Sequence, residues 1–382
     1  MEGAQLKADV VVIGGGVTGT SAAYHLAKAG ARVVLVERHD LNTEASGRNA
    51  GGLHGQIQLE PFLEHGERWA RDWGPSLGMM RAAIGFWQEL ERELAVDLEV
   101  NVSGGLMVAA DESQLRHLER KAAIERDFGV ETEVLDREGL GRAAPYVSDE
   151  MVGGLLCRLE GRANPLLAAP ALARAAESRG ATLLARTEVR ALERANGGFR
   201  IVTSGGQIDC EQVVDCAGAA AGDVAALAGA PFDVQRYPIM VSATEPAPPL
   251  VEHLVYFAGG PLTLKQARRG TILIGGGWPA RVDGATGRLA ADFAGLAENL
   301  RLATEVVPDV AGASLLRTWQ GVCPGLPDER PAIGELVPGF VVALFPFLGF
   351  TCGPFLGRLA AELALREEPA IDLNPFAPSR LL

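Results

Sequence analysis

DVVVIGGGVTGTSAAYHLA, residues 9–27, is the stretch that decides the fold. Its first five residues form an apolar run of strand length, Gly14–Gly19 matches G-x-G-x-x-G, and a helix is predicted over Ser21–Ala29. A second strand is predicted over Ala31–Val36, and Glu37 closes it 18 residues after the last glycine of the turn. A strand, a glycine turn, a helix and an acidic residue in this order are typical of a Rossmann-type unit that binds a dinucleotide.

Each residue of this motif has a physical task. Gly14 allows the tight turn, Gly16 lets the backbone approach a pyrophosphate at the helix N-terminus, and Gly19 lets helix and strand pack closely. Glu37 can accept hydrogen bonds from ribose hydroxyls. The alternative is an ordinary glycine turn, and the motif by itself does not separate NAD from FAD.

Length and composition limit the possible classes of protein. At roughly 150 residues per domain, 382 residues predict two domains. The net charge of −13 disfavours a nucleic-acid partner or an anionic membrane surface. The five cysteines form no C-x-x-C and have no histidines at zinc-ligand spacing, so we expect no metal site and a reducing, cytoplasmic location. The N-terminus lacks the pattern of a secretory signal.

One uncharged segment, Leu336–Gly357, is long enough for a membrane span. Prolines at 338, 346 and 354 argue against that alternative. They divide the segment into a strand over Phe340–Phe345, a glycine-rich turn and a helix that is predicted to start at Pro354. We therefore expect a buried strand, turn and helix and no integral membrane span.

Periodicity and turn residues place the other elements. Helices are predicted around 77–94, 113–126 and 170–179, and strands over 239–244, 262–266 and 271–274, which are expected to form an antiparallel sheet. The predicted fold class is α/β, with a discontinuous Rossmann-like nucleotide-binding domain and an inserted substrate domain of antiparallel sheet and helices. The first is assigned residues 1–76, 146–230 and 316–382, and the second residues 77–145 and 231–315. The apolar stripe of the helix at 77–94 could face the core or a partner.

Further motifs carry a resemblance to a known family. They are NTEASGRNAGGLH (42–54), DCAGA (215–219), WQGVCPGLPDERPAIG (319–334) and the Gly349-Phe350 pair before the last helix. Together with the first turn, they resemble the FAD-dependent amino acid and amine oxidoreductases of the D-amino-acid, glycine and sarcosine oxidase group. Within this group, LTLKQ (262–266) and GGGWP (275–279) look most like flavin subunits of multi-subunit opine and hydroxyproline dehydrogenases. That likeness implies partner redox subunits in a hetero-oligomer.

The resemblance implies FAD, with its adenine near Glu37 and the strand at Glu188-Val189, and its flavin ring between Ser46–Leu53 and Gly349–Thr351. A helix N-terminus at that turn would stabilise negative charge on the reduced flavin. The expected cofactor-binding residues are Gly14, Gly15, Gly16, Val17, Thr18, Gly19, Glu37, Arg38, Ala45, Ser46, Gly47, Arg48, Asn49, Ala50, Gly51, Gly52, Leu53, Val189, Cys216, Ala217, Gly218, Cys323, Leu348, Gly349, Phe350 and Thr351.

Oxidation of an amine by flavin requires the protein mainly to orient and deprotonate the amine. The candidate catalytic residues are His54, Tyr256 and Lys265, and Arg48 could hold a flavin or substrate anion. Each has a structural alternative. Arg48 could be a surface residue, His54 could simply be packed under its loop, and Lys265 could lie on a solvated strand face. The resemblance implies a role for Lys265 in oxygen activation, like that of a lysine on this sheet in the family's sarcosine oxidases.

Two departures from the family pattern leave the substrate open. Cys323 stands where glycine-oxidase-like members carry an arginine that binds the substrate carboxylate, and where monomeric sarcosine oxidases carry a cysteine linked to FAD. A buried thiol is the alternative to such a link. Leu348 stands where the family often has a polar residue. The residue that anchors a substrate carboxylate is therefore not identified, although Phe345, Phe347 and Phe350 are expected to form apolar walls.

Three functions compete. The leading one is FAD-dependent oxidation of the C–N bond of an amino acid or N-substituted amino acid, with electrons passing to a partner subunit or to oxygen. An NAD(P)-dependent reductase shares the first motif but should lack the elements at Ala217-Gly218 and Gly349-Phe350. A flavoprotein subunit that only holds FAD or relays electrons is the alternative from another class.

Overall fold

The computed structural model of the chain describes residues 6–195 and 197–382. Five N-terminal residues, on which the prediction about a secretory signal depends, lie outside them. The strands are β1 (Leu6–Ile13), β2 (Val33–Val36), β3 (Gly52–Leu53), β4 (Gly105–Ala109), β5 (Glu133–Asp136), β6 (Gly153–Cys157), β7 (Gly161–Arg162), β8 (Thr182–Leu184), β9 (Val189–Ala195), β10 (Gly198–Thr203), β11 (Gly206–Asp215), β12 (Gln235–Pro246), β13 (Leu254–Phe257), β14 (Thr263–Gln266), β15 (Thr271–Gly275), β16 (Arg281–Val282), β17 (Leu289–Ala290), β18 (Leu315–Gly325), β19 (Ala332–Val337) and β20 (Phe340–Leu344). The α-helices are α1 (Val17–Lys28), α2 (Ala45–Arg48), α3 (Leu59–Trp73), α4 (Pro75–Leu94), α5 (Glu112–Asp127), α6 (Arg137–Ala143), α7 (Ala168–Glu177), α8 (Ala221–Leu227), α9 (Phe293–Val306) and α10 (Gly349–Ala364).

The first sheet is the predicted Rossmann-like unit. Its strand order is β19-β20-β11-β1-β2-β8, and β10 and β9 extend from β11 as an antiparallel ribbon. The strands β20, β11, β1, β2 and β8 run parallel, as expected for crossover connections through helices. Helix α1 packs closely on α10, where Ser21 Oγ donates to the carbonyl oxygen of Pro354 across 2.6 Å. The predicted α/β fold class is confirmed.

The second sheet has the order β18-β12-β15-β14-β13-β4-β6-β5. Its strands are antiparallel as predicted, except that β4 and β13 run parallel. These two strands are far apart in the chain, so no hairpin forces them into opposite directions. Strands of the two sheets alternate along the chain, and β6 and β18, which fall mainly in the predicted nucleotide-binding segments, lie in the second sheet. The proposed domain boundaries remain a prediction.

The last helix differs from its prediction. It begins at Gly349, where the N–H of Cys352 donates to the carbonyl oxygen of Leu348, and Pro354 lies inside it. The prediction of a start at Pro354 was wrong because a proline this near the N-terminus removes only the bond that would reach the carbonyl oxygen of Phe350. Among the described residues, no helix is both long enough and apolar enough to cross a bilayer.

Helix α4 carries the predicted apolar stripe, and this stripe faces the core. Leu77, Met80, Ile84 and Leu90 are buried in it, so the alternative of a partner-facing stripe is not supported. Trp87 is also buried and donates its indole N–H to the carbonyl oxygen of Thr351 across 2.8 Å. Helix α4 thereby fixes the first turn of α10.

Candidate active site

The glycine turn leaves no room for side chains. Gly14 has a φ of +111°, and a Cβ built on it would lie 2.4 Å from the carbonyl oxygen of Cys216. A Cβ on Gly19 would lie 1.9 Å from the carbonyl oxygen of Gly14. Since these contacts are with backbone atoms, neither position can accept a larger residue without moving the strand ends or the helix. The predicted elements at 14–19 and 216–218 therefore meet.

Helix α1 begins directly after this turn and presents its first-turn donors to it. Ser46 of α2 accepts a hydrogen bond from the N–H of Val17 across 3.0 Å, so its hydroxyl lies at the helix N-terminus. A Cβ on Gly16 would lie 2.7 Å from that hydroxyl. Bare backbone, N–H donors and a hydroxyl group in one place fit the pyrophosphate of a dinucleotide.

Glu37 is attached to the same turn. Its Oε2 accepts from the N–H of Gly15 and its Oε1 from the N–H of His39, each across 2.7 Å. A carboxylate offers about four acceptor positions, so lone pairs remain for ribose hydroxyls. The carbonyl oxygen of Glu37 accepts from Thr187, which brings the segment leading to Val189 to the end of β2. Arg38 next to it is exposed.

A cavity of about 770 Å³ lies between the α2 loop, the first turn of α10 and the second sheet. All three predicted catalytic residues line it. So do many of the predicted cofactor-binding residues: Ala45, Arg48, Asn49, Ala50, Gly52, Cys323, Leu348, Phe350 and Thr351. Of the three predicted apolar walls, Phe347 and Phe350 line the cavity, whereas Phe345 is buried in the core.

His54 and Tyr256 form a pair in this cavity. The Nδ1 of His54 lies 2.7 Å from the hydroxyl oxygen of Tyr256. The backbone N–H of His54 donates to Thr351 Oγ1 across 3.0 Å, and the Thr351 hydroxyl donates to the carbonyl oxygen of Gly52. These bonds join the loop after α2 to α10, so the imidazole has a defined position at the cavity wall.

Lys265 is buried at 2% exposure, which contradicts the alternative of a solvated strand face. Among the residues that the structure describes, its Nζ has no hydrogen-bond acceptor and no ion pair. Burial, helped by the charge of Arg162, lowers the pKa of Lys265 to about 7. Burial and the charge of Lys265 lower the pKa of His54 to about 3. The cavity therefore holds a neutral imidazole and an amine that titrates near neutrality.

Two other predicted residues have defined surroundings. Arg48 donates to the carbonyl oxygens of Thr43 and Gln320 across 2.6 and 3.2 Å, so its guanidinium fastens the α2 loop to β18. Its role toward a ligand anion remains a prediction. Cys323 on β18 lines the cavity with a free thiol, and burial raises the pKa of that thiol to about 11.

Sequence reasoning missed much of the cavity entrance. Helix α3, strand β12 and the loop after β18 contribute acidic and aromatic side chains there: Glu60, Glu64, Trp69, Trp73, Tyr237 and Glu329. Apart from Glu329, which lies within the motif at 319–334, no motif marks these residues, and α3 was not predicted as a helix. Its glycine at 66 has a φ of +79° and kinks it, which weakens any helical pattern in the sequence. Among the described residues, no three His, Cys, Asp or Glu side chains are grouped to hold a metal ion.

A Rossmann-like sheet with a dinucleotide cradle, joined to a second sheet across a mainly apolar cavity with a few polar groups, is typical of a nucleotide-dependent redox enzyme. The profile of the DAO family, described as FAD dependent oxidoreductase, matches residues 9–363. The chain belongs to this family, and its cofactor is FAD. The cradle at Gly14–Gly19 and Ser46 fits that cofactor.

Known proteins are similar to this chain in sequence and structure over nearly its whole length. The glycine oxidase of Geobacillus kaustophilus is 28% identical, with 97% of each chain covered, and the sarcosine oxidase subunit beta of Rhizobium meliloti is 25% identical, covering 97% of this chain and 88% of its own. The crystal structure of the G. kaustophilus glycine oxidase has a TM-score of 0.85 at 26% identity, covering 99% of this chain and all of that one. The L-proline dehydrogenase of P. horikoshii has a TM-score of 0.86 at 26% identity, covering 99% and 98%.

Proposed function

We propose that this enzyme oxidises the C–N bond of an amino acid or an N-substituted amino acid. The observation that carries the proposal is the convergence of His54, Tyr256 and Lys265 on one cavity, beside the α2 loop and the first turn of α10. The similar proteins are named for glycine, sarcosine and proline, which supports an amino acid as substrate. Sarcosine and proline are secondary amines, in keeping with the predicted N-substituted substrate.

The chain's residues prepare the amine for oxidation. An amine must be neutral before its α-hydrogen can leave as hydride, because the nitrogen lone pair forms the new C=N bond. When bound, FAD accepts this hydride at N5. Lys265, with its pKa near 7, can take the ammonium proton, and neutral His54 can hold the amine by a hydrogen bond. Water then hydrolyses the imine to a carbonyl compound and an amine or ammonia.

The electron acceptor is a separate proposal. The subgroup resemblance favours transfer to partner redox subunits in a hetero-oligomer, and one relative is named as a subunit. Oxygen is the other acceptor that we consider, with Lys265 as the cation that would promote its reaction. We also propose a cytoplasmic location, in keeping with five free cysteines.

The experiment is product trapping. The purified enzyme is incubated with glycine, sarcosine, proline, hydroxyproline, D-amino acids and opines, with a redox dye as acceptor and hydrazine to trap carbonyl compounds. We expect one class to give one trapped carbonyl for each two electrons accepted by the dye. The matched variant Lys265→Met should lower the yield, whereas Lys7→Met, at the exposed beginning of β1, should not. Dye reduction without a carbonyl product would contradict the proposal.

The relay-subunit alternative makes a different prediction. If the chain only held FAD or passed electrons on, the enzyme would contain flavin but no member of the panel would yield product, with or without the dye.

A further inference from the structure

A chain of buried polar side chains leads from the cavity into the second domain. It runs from His54 through Tyr256 to Glu160, and from there through Gln56 to Lys121, which is paired with Glu125. Its four inner members, Gln56, Lys121, Glu125 and Glu160, have no exposed surface. The fold leaves space for it, since a Cβ on Gly105 would lie 1.6 Å from Glu160 Oε2.

The directions of the hydrogen bonds between these buried side chains follow from the innermost donor, Lys121. Lys121 can only donate, and its Nζ lies 3.1 Å from Gln56 Oε1, so the amide group of Gln56 turns its NH₂ toward Glu160. That NH₂ donates to Glu160 Oε2 across 2.8 Å. The backbone N–H groups of Gly55 and Gln56 donate to Glu160 Oε1 across 2.6 and 3.1 Å. The carboxyl group of Glu160 is thus surrounded by donors.

The hydroxyl of Tyr256 completes this set when Glu160 is ionised. It can then donate to the neighbouring carboxylate, and in that arrangement its oxygen presents lone pairs to His54 Nδ1, which lies 2.7 Å away. His54 must then carry its proton on Nδ1. Its Nε2, next to Gly52 at the cavity wall, is left as an acceptor.

A proton on Glu160 reverses these directions. The protonated carboxyl group must donate, and among its described partners only the Tyr256 oxygen can accept. The Tyr256 hydroxyl then donates to His54 Nδ1, and the imidazole proton moves to Nε2. We propose that Glu160 is a positioning residue that, through Tyr256, sets which nitrogen of His54 carries the proton.

Burial of Glu160 places this change near neutral pH. Burial raises the pKa of Glu160 to about 7, against the hydrogen bonds from Gly55 and Gln56 and the charge of Lys121. The other titratable or charged groups facing the chain are Glu125 of α5, Cys157 of β6 and, at the His54 end, Lys265 of β14 with Arg162 behind it. Burial raises the pKa of Glu125 and of Cys157 and lowers that of Lys265.

The inference rests on the proposed function only in what the tautomer of His54 does for a bound amine. With Glu160 ionised, His54 offers an acceptor that can hold an amine N–H in the cavity, and with Glu160 protonated it offers a donor instead. The tautomer itself does not depend on which substrate the enzyme uses.

The test is ¹⁵N NMR of the FAD-bound enzyme with imidazole-labelled histidine. Pyrrole-type and pyridine-type nitrogens differ in shift, and the loss of one set of signals in His54→Gln assigns them. Between about pH 5 and about pH 9, we expect His54 to change from the Nε2–H to the Nδ1–H tautomer as pH rises. A tautomer that stays constant over this range would overturn the proposal.

Two variants separate positioning from a general structural role. In Glu160→Gln, the amide oxygen keeps the backbone donors and the NH₂ group donates to Tyr256, so His54 should stay in the Nε2–H form at every pH. In Tyr256→Phe the pH dependence should disappear. Tyr146→Phe is the matched control, because Tyr146 lies 2.7 Å from His253 Nδ1 in a pair that does not line the cavity.

The outcomes distinguish this proposal from the proposed function. An Nδ1–H tautomer in folded Glu160→Gln, or an unchanged pH response in Tyr256→Phe, would overturn the link through Tyr256. If no amino acid is oxidised but the tautomer responds as described, the positioning role stands and the proposed function fails.

Discussion

Lys121 Nζ lies 2.6 Å from Glu125 Oε1, and neither side chain has any solvent-exposed surface. The same carboxylate oxygen accepts from the N–H of Ile57 across 2.7 Å, while Glu125 Oε2 has no partner within the part of the chain that the structure describes. This pair connects α5 to the loop that carries His54. The pair therefore helps to hold the loop that carries His54 in its position at the cavity wall.

The pair predicts an asymmetric effect on stability. Glu125→Gln leaves the Lys121 charge buried without its counter-charge, which should lower the free energy of unfolding by about 3–5 kcal/mol in urea titrations. The control is the exposed pair of the same spacing, Arg142 with Glu138, where Glu138→Gln should cost less than about 1 kcal/mol. Similar losses at both sites would contradict the importance of burial.

The glycine cradle predicts loss of cofactor on a minimal substitution. Gly14→Ala places a Cβ against the carbonyl oxygen of Cys216 at a φ of +111°, so the turn must shift. We expect FAD affinity to fall at least about tenfold, or about 1.4 kcal/mol, as measured by flavin absorbance after gel filtration. Gly78→Ala, in α4 with open space around it, is the control and should retain FAD. Full retention by Gly14→Ala would exclude this turn as the pyrophosphate site.

The surroundings of Cys323 predict that FAD is bound without a covalent link. With its pKa raised to about 11, the thiol stays protonated at neutral pH and is a weak nucleophile. We therefore expect acid precipitation of the enzyme to leave FAD in the supernatant, for the native chain and for Cys323→Ser alike. A yellow pellet that loses its colour in Cys323→Ser would instead demonstrate a covalent link.

Lys265→Met should affect the two half-reactions differently. These are reduction of the enzyme by substrate and its reoxidation by oxygen. If its cationic form also promotes the reaction with oxygen, Lys265→Met should slow reoxidation of the reduced enzyme by about tenfold or more beyond the slower reduction by substrate that loss of the base causes. Stopped-flow measurement of each half-reaction tests this. Equal slowing of both would reject a specific role toward oxygen.

Glu160 predicts a pH dependence of stability. Because its pKa is raised from 4.5 to about 7, the folded chain binds more protons than the unfolded chain between these values. Its contribution is therefore present at low pH and is lost as pH rises through about 7, by up to about 3 kcal/mol. Urea unfolding of the native chain and of Glu160→Gln, at about pH 5 and about pH 7.5, should show the difference between them shrinking by that order. A constant difference would refute a raised pKa.

The cradle was predictable because its physics is local. Gly14 and Gly19 are required by contacts with each other and with the end of one neighbouring strand, and such requirements leave a fixed spacing in the sequence. The cavity residues His54, Tyr256 and Lys265 followed from the family resemblance, which places their segments at the flavin. The structure brings all three together in one cavity.

The buried polar side chains that lead from His54 to Lys121 and Glu125 could not be predicted from the sequence. Lys121 and Glu125 are four residues apart in a charged helix, which is also the pattern of an exposed pair such as Arg142 with Glu138. Only the packing of α5 against the loop at 55–57 decides that one pair is buried. Glu160 carries no motif, and its partners come from three distant segments.

The start of α10 shows a limit of another kind. The rule that proline begins a helix placed the start at Pro354, but the helix starts five residues earlier, where tertiary contacts hold it. The indole of Trp87 and the hydroxyl of Ser21 donate to carbonyl oxygens of Thr351 and Pro354, within the first two turns of the helix. These contacts come from α4 and α1 and are not visible in the local sequence.

The central claim is that FAD held at the Gly14–Gly19 cradle is reduced by an amino acid bound beside His54 and Lys265. Its most direct test is the visible spectrum of the purified enzyme under anaerobic conditions, during additions of the amino acids named above. We expect a flavin absorbance band at ~450 nm that one class of amino acid bleaches. In Lys265→Met this bleaching should be slower. A folded chain that contains no flavin and cannot be reconstituted with FAD, or a bound flavin that none of them reduces, would contradict it.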